Sequence, residues 1–174
     1  RKNYTQQNLS ENDAEVNPIQ QFSKWWDEAV ASDIDEVNAM TLATASSDGI
    51  PSARIVLLKE YDINGFTFFT NYNSFKGQQL AENPKACLVF FWKELERQVR
   101  ITGLIEKISS AASDEYFNSR PQGSQVGAIA SPQSQVIENR EWLDNHYSKL
   151  EKELHDKKLQ RPPHWGGYIV KPVI

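Results

Sequence analysis

The sequence is poor in the residues that most often announce a chemistry. It has one cysteine, Cys87, and one methionine in 174 residues. A single thiol excludes an internal disulfide and any cysteine-based zinc site. Cys87 stands inside Ala86-Cys-Leu-Val-Phe-Phe91, where a thiol facing strand neighbours is a simpler reading than a nucleophile. The three histidines, His146, His155 and His164, have no metal-ligand spacing with one another or with paired carboxylates. No Ser/His/Asp arrangement can be assembled around them. Neither of the common glycine-rich phosphate cradles, G-x-G-x-x-G or the P-loop, occurs. A net charge of −4 with no basic face argues against a nucleic-acid partner. No apolar run approaches the roughly 20 residues of a membrane helix. The stretch from Arg1 to Asn17 is polar and lacks a signal-peptide pattern. The expectation is a cytoplasmic, reducing setting.

What the sequence does have is an ordinary globular composition, 39% hydrophobic and 24% charged, in a length that fits one domain with a real core. Residues 1–16 read as an N-terminal arm. Asn17-Pro18 starts a helix, with a cap followed by proline at the first helical position. Ile19, Phe22, Trp25, Trp26, Ala29 and Val30 then share one face. From there the period shortens. Ala39–Ala45, Ser52–Lys59, Phe66–Thr70, Ala86–Phe91 and Val99–Ile108 read as strands, with hairpin signals at Ser47-Asp-Gly49 and Asp62-Ile-Asn-Gly65. Lys76–Glu82 reads as a short helix. Helical pieces follow at Ser113–Asn118, Gln125–Ala130 and Glu138–Asp156, and Trp165–Val170 is a last strand. Closely spaced antiparallel strands with helices before and after imply an α+β fold, a small barrel with flanking helices.

Two stretches carry charge where burial is expected. Arg54-Ile55-Val56-Leu57-Leu58-Lys59 puts a cation at each end of four large apolar residues, and Glu96, Arg97 and Gln98 interrupt an otherwise buried strand pattern. Buried charge costs several kcal/mol unless paired. An anionic cofactor or substrate would pair it, and so would structural ion pairs. On a regular strand the odd spacing sends Arg54 and Lys59 to opposite faces, so they serve different anions or a bulge joins them. Ser74-Phe-Lys76 offers a capped helix start with an added cation. Ser119-Arg120-Pro-Gln-Gly-Ser124 is a loop with one guanidinium and two hydroxyls, suited to a phosphate monoester. Taken singly, each is equally an ordinary surface element. With no acid/base or nucleophile set in view, an enzyme built this way leaves the hard chemistry to a cofactor.

In order along the chain, Arg54–Lys59, Phe68-Phe-Thr-Asn71, Ser74-Phe-Lys76, Leu95-Glu-Arg-Gln98, Tyr116-Phe-Asn-Ser-Arg-Pro121, Gly123-Ser-Gln125, Ser131-Pro-Gln-Ser134 and Trp165-Gly-Gly167 resemble the pyridoxamine/pyridoxine 5'-phosphate oxidase family of FMN-binding split-barrel flavoproteins. The resemblance implies an antiparallel split β-barrel and a homodimer with FMN at the interface. Arg54 and Lys76 would hold the FMN phosphate. Ile55, Val56, Leu57, Leu58 and Lys59 would lie along the flavin, with Phe69, Thr70 and Gln98 also on the cofactor. Gln133, Ser134 and Trp165 would reach it from the second subunit. Lys59, Tyr116, Arg120 and Ser124 would bind the substrate phosphate, and Arg1 and Tyr4 would fold over the substrate. The implied reaction takes pyridoxamine or pyridoxine 5'-phosphate to pyridoxal 5'-phosphate. Hydride passes from C4' to flavin N5, and O2 is the acceptor. No side chain is required as a base, and no metal is implied.

The sequence departs from the family pattern at Phe75, where a basic residue is usual, so one phosphate contact is expected to be missing. The family pattern also continues beyond the position of Ile174, with a strand and an Arg-Leu-His-Asp-Arg segment that contacts substrate and FMN. Without that segment FMN binding is expected to persist and turnover to fall. Two other readings stay open: a split-barrel flavin oxidoreductase for another substrate, and a non-catalytic protein that binds FMN or the vitamin phosphate.

Overall fold

The computed structural model describes residues 9–155 and 157–173. Helix α1 (Pro18–Val30) starts as its cap predicts, the Asn17 side chain accepting from the Ile19 amide. Seven strands follow: β1 (Ala39–Ala45), β2 (Pro51–Leu57), β3 (Glu60–Asp62), β4 (Gly65–Asn71), β5 (Lys85–Trp92), β6 (Arg97–Lys107) and β7 (Trp165–Pro172). Helix α2 (Phe75–Glu82) lies between β4 and β5; α3 (Ser110–Ser119), α4 (Gln122–Ala130) and α5 (Arg140–Leu154) lie between β6 and β7. The strands form one antiparallel sheet in the order β2-β1-β5-β6-β7-β4-β3.

One stretch of chain forces that sheet to curl. β2 lies at one edge and β3 at the other, yet only Leu58 and Lys59 separate them. The Leu58 amide donates to the Asn38 carbonyl beside β1, and the Lys59 amide donates to Thr67 in β4. The chain changes partner between these two residues, so the two edges of the sheet are brought together there. Strand parity therefore does not carry across Arg54–Lys59, and the opposite-face expectation for the two cations does not apply.

The core fills the curl with aromatic rings. Phe22 of α1 meets Tyr61 and Phe66 edge-on at 4.9 and 4.8 Å between centroids, and Phe90 at 5.3 Å. Such pairs add roughly 0.5–1.5 kcal/mol each beyond the area they bury. A second, smaller cluster joins Phe117, Val126, Leu159 and Trp165 beneath α3, α4 and α5.

Two sequence expectations are corrected. Glu96 does not continue a buried strand: it adopts a left-handed conformation (φ 51°) that closes the short 3-10 turn Lys93–Leu95 between β5 and β6. Arg97 finds its anion within the protein, 2.7 Å from Glu28, with its guanidinium 4.7 Å from the Trp25 ring. Of the two ways to pair charge in this strand, Arg97 takes the structural one. Helix α5 begins at Arg140 rather than Glu138 because the Asn139 side chain caps it, accepting from the Trp142 amide.

Candidate functional site

A cavity of about 790 Å3 opens between the β2–β3 corner, the end of β4, the start of α2 and the loops around α3 and α4. That volume suits a cofactor-sized ligand. The cavity gathers residues from segments far apart in the chain, and the cations in and beside it fall into two groups.

The first group belongs to β2 and α2. Ser74 caps α2, accepting from the Gly77 amide, and is fully buried. Lys76 follows in the first turn with 9% of its surface exposed. Its Nζ lies 3.0 Å from the Gln133 side-chain oxygen and 3.2 Å from Ser74 Oγ. Arg54 reaches over β1, donating to the Leu42 carbonyl and to Thr44 Oγ1, and to Ser52 Oγ on its own strand. Gln79 of α2 accepts from both Thr44 and Ser52. The guanidinium is therefore fixed by neutral acceptors only. Burial, with Arg54 close by, pushes Lys76 down to about 8. Burial likewise lowers Arg54. Among the described residues no carboxylate forms an ion pair with either side chain. A buried and a half-buried cation side by side, held by neutral groups, are costly unless a polyvalent anion joins them.

The second group belongs to the chain after β2 and to α3–α4. Lys59, Tyr116, Arg120 and Ser124 all line the cavity. Tyr116 stacks on Phe69 at 3.8 Å between centroids, and Phe69 stacks on Trp165 at 5.5 Å. The Arg120 guanidinium lies over the Trp165 ring at 4.6 Å. Burial lowers Arg120, partly offset by Tyr116. Its Nη1 is buried and has no hydrogen-bond partner among the described residues. An orphaned guanidinium nitrogen costs about 1–3 kcal/mol or more, which an oxyanion in the cavity would recover.

Most of the residues that the sequence pointed to meet here. Ile55, Val56, Leu57, Phe69 and Thr70 line the wall beside the two cation groups. Gln133 and Trp165, expected from a second subunit, already line the cavity of their own chain; Gln133 lies 3.3 Å from Thr70 Oγ1 and Asn71 donates to the Ser131 carbonyl. These contacts fold the loop after α4 back over β4. Arg54 does not itself line the cavity: its guanidinium, held by Leu42, Thr44 and Ser52, lies close enough to Lys76, which does, to lower that amine. Three further residues are not brought in. Leu58 points into the core, 3% exposed. Gln98 lies exposed on β6, opposite Phe91 of β5. Ser134 is exposed with a positive φ of 64°. Arg1 and Tyr4 lie outside the described residues. Phe75 is 54% exposed at the first position of α2, so the spare position beside Lys76 carries no charge. Asn71, at the end of β4, Ser119, the last residue of α3, and Ser131 also line the cavity; all three stand in stretches that the sequence marks, although none is given a role of its own there.

The family model described as pyridoxamine 5'-phosphate oxidase matches residues 26–152. The pyridoxine/pyridoxamine 5'-phosphate oxidase of Cyanothece sp. (strain PCC 7425 / ATCC 29141) is 56% identical over 174 residues, covering 100% of this chain and 82% of that protein. The protein of the same name from Leptospira interrogans is 54% identical over 172 residues, covering 99% and 80%. Among solved structures, PhzG from Burkholderia lata 383, in complex with tetrahydrophenazine-1-carboxylic acid, superposes with a TM-score of 0.88 at 30% identity, covering 92% of this chain and 79% of that one. A pyridoxamine 5'-phosphate oxidase-related, FMN-binding protein from Nostoc punctiforme PCC 73102 superposes at 0.72 with 16% identity, covering 92% and 84%, and shares the fold. The curled antiparallel sheet is thus the FMN-binding split barrel, and the chain belongs to the pyridoxamine 5'-phosphate oxidase family of oxidoreductases.

Proposed function

We propose that this chain is an FMN-dependent oxidase of pyridoxamine 5'-phosphate or pyridoxine 5'-phosphate, with pyridoxal 5'-phosphate as product. The observation that carries the reading is that one cavity is lined by two sets of uncompensated cations, Lys76 with Arg54 behind it, and Lys59 with Arg120. One is needed for the phosphate of FMN and the other for the phosphate of the substrate. A substrate without a phosphate would leave Arg120 orphaned, which weighs against an oxidase for a neutral ring.

Arg54 and Lys76 hold the cofactor phosphate in this reading, assisted by the free amides at the start of α2. Ile55, Val56 and Leu57, with Phe69 and Thr70, form the wall along the ring system. Lys59, Tyr116, Arg120 and Ser124 hold the substrate phosphate, and the Trp165 and Phe69 rings exclude water from that side. FMN supplies the hydride acceptor for the substrate C4' carbon, with O2 as the final acceptor and hydrogen peroxide as its product. The protein's contribution is orientation and exclusion of water. No basic side chain is required. The lone thiol fits a cytoplasmic setting, and no helix among the described residues is long and apolar enough to cross a membrane.

A second copy of the chain completes the site. Ile55 is 65% exposed and Phe91 60%. The cross-strand row Ile55–Thr41–Val89–Arg100 runs over the outer face of β2, β1, β5 and β6. A sheet face that exposes Ile55 and Phe91 among polar side chains is suited to an isologous contact. Gln98 on that face and the exposed Ser134 are the residues whose cofactor contacts would need the second chain. Light scattering is expected to give about twice the 19.9 kDa chain mass; a monomer that binds FMN tightly contradicts the shared site.

Hydrogen peroxide release from pyridoxamine 5'-phosphate, dependent on added FMN, tests the activity. Arg54→Ala is expected to release FMN first, and Arg120→Ala to weaken pyridoxal 5'-phosphate while FMN stays bound. Each loss is expected to be roughly ten- to a hundredfold, the worth of a charge-assisted hydrogen bond. Equal loss of both ligands in both variants would remove the two-phosphate assignment.

Lys76 sets a pH dependence. It must be charged to hold phosphate, and in the free protein it loses its proton near 8. A bound dianion raises that value, so FMN binding above pH 8 takes up a proton and weakens by up to about tenfold per pH unit. For the ligand-free chain the sign reverses. The unfolded chain keeps this proton up to about 10.5, so this group alone makes stability rise between pH 8 and 10.5. FMN titrations at pH 7 and pH 9.5 in buffers of different ionisation enthalpy are expected to show the proton uptake and weaker binding, and denaturant unfolding of the ligand-free chain at pH 8 and 10 the rise in stability, for the native chain and not for Lys76→Met.

A further inference from the structure

Arg161 lies outside the cavity, in the Arg-Pro-Pro stretch before β7, and none of the sequence motifs includes it. Its side chain is only 12% exposed and makes three hydrogen bonds to two elements. Nε donates to Asp114 at 2.6 Å and Nη2 to Ser110 Oγ at 2.8 Å, both in the first turns of α3. Nη1 donates to the backbone carbonyl of Trp165 at 2.6 Å, the first residue of β7. One planar guanidinium therefore sets the start of α3 against the start of β7.

Both elements end on the phosphate clamp. α3 carries Tyr116, and Arg120 is its C-terminal cap. Trp165 supplies the ring on which the Arg120 guanidinium lies, 4.6 Å from its centroid. Nη1 of Arg120 has no hydrogen-bond partner among the described residues, so the cation takes its orientation from the Trp165 ring beneath it and from Tyr116 beside it. A shift of the Trp165 backbone against α3 moves the platform from under the guanidinium and separates the Tyr116 and Trp165 rings, which are parallel to within 7° at 6.2 Å.

We infer that Arg161 is a positioning residue for the substrate-phosphate clamp, holding Trp165 and α3 in the register that aims Arg120 at the anion. The inference rests on the reading of Arg120 as a substrate-phosphate ligand. It assigns Arg161 no contact with substrate or cofactor. Only a fork with donors in fixed directions can serve both elements at once, so lysine is a poor substitute.

The test uses the FMN-loaded protein with Arg161→Ala, Arg161→Lys and Arg120→Ala, read by titration with pyridoxal 5'-phosphate, with inorganic phosphate, and with unphosphorylated pyridoxal. Arg161→Ala is expected to weaken pyridoxal 5'-phosphate and inorganic phosphate in parallel by about tenfold, less than the roughly hundredfold that a 1 Å misplacement can cost. Pyridoxal affinity and FMN stoichiometry should change less than twofold. In turnover the loss is expected in KM rather than kcat. Arg161→Lys is expected to fold with FMN bound yet still bind phosphate weakly, and it carries the test if the alanine variant does not fold. A folded Arg161 variant with unchanged phosphate affinity, or one that weakens pyridoxal equally, overturns the inference. If Arg120→Ala also leaves phosphate affinity unchanged, the reading of the clamp itself is what fails.

Discussion

The site depends on positive charge that the protein does not neutralise. Arg54 and Lys76 sit together with neutral partners, and Arg120 keeps an orphaned nitrogen over Trp165. Elsewhere the chain pairs its part-buried cations: Arg97 with Glu28 and Arg161 with Asp114. Arg97 also keeps a buried Nη1 without a hydrogen-bond partner, so the contrast lies in the carboxylate beside it and not in the orphaned nitrogen. The fold supplies carboxylates for two arginines and, among the described residues, none to the lining of the cavity, which is the arrangement that the proposed binding of ligand phosphates requires.

The barrel is arranged to hold these cations still. The change of partner between Leu58 and Lys59 joins the two edges of the sheet, and it also brings Lys59 to the cavity while Arg54 stays over β1. The Ser74 cap fixes the first turn of α2, so Lys76 has a rigid base. Gly77 lets that helix approach closely, since a Cβ there would lie 2.1 Å from the Tyr72 carbonyl oxygen. Rigid elements carrying unpaired cations lower the ordering cost of binding. They also impose a cost on the ligand-free chain, seen in the depressed Lys76.

Much of this was legible in the sequence because it is local. The Asn17-Pro18 start, the strand Ala39–Ala45 and the capped turn at Ser74 each follow from a few adjacent residues. The ordered motifs gathered the cavity residues, since the family pattern carries long-range information that periodicity lacks. What could not be read was the choice of partner. Nothing near Arg97 in sequence shows that Glu28 awaits it. Arg161 reads as part of a proline loop because Ser110 and Asp114 are 51 and 47 residues away. Gln98 and Ser134 belong to matching motifs yet face outward, a difference that arises only when the sheet curls and the loop after α4 folds back.

The central claim is that the cofactor is held through its phosphate by Arg54 and Lys76. The most direct measurement compares the affinity of the ligand-free protein for FMN and for riboflavin at pH 7, which share the ring system and differ in that phosphate. Two charge-assisted contacts of about 1.5–3 kcal/mol each predict FMN tighter by a hundredfold or more. Equal affinities would contradict the account, because the cations would then be doing something other than holding a phosphate.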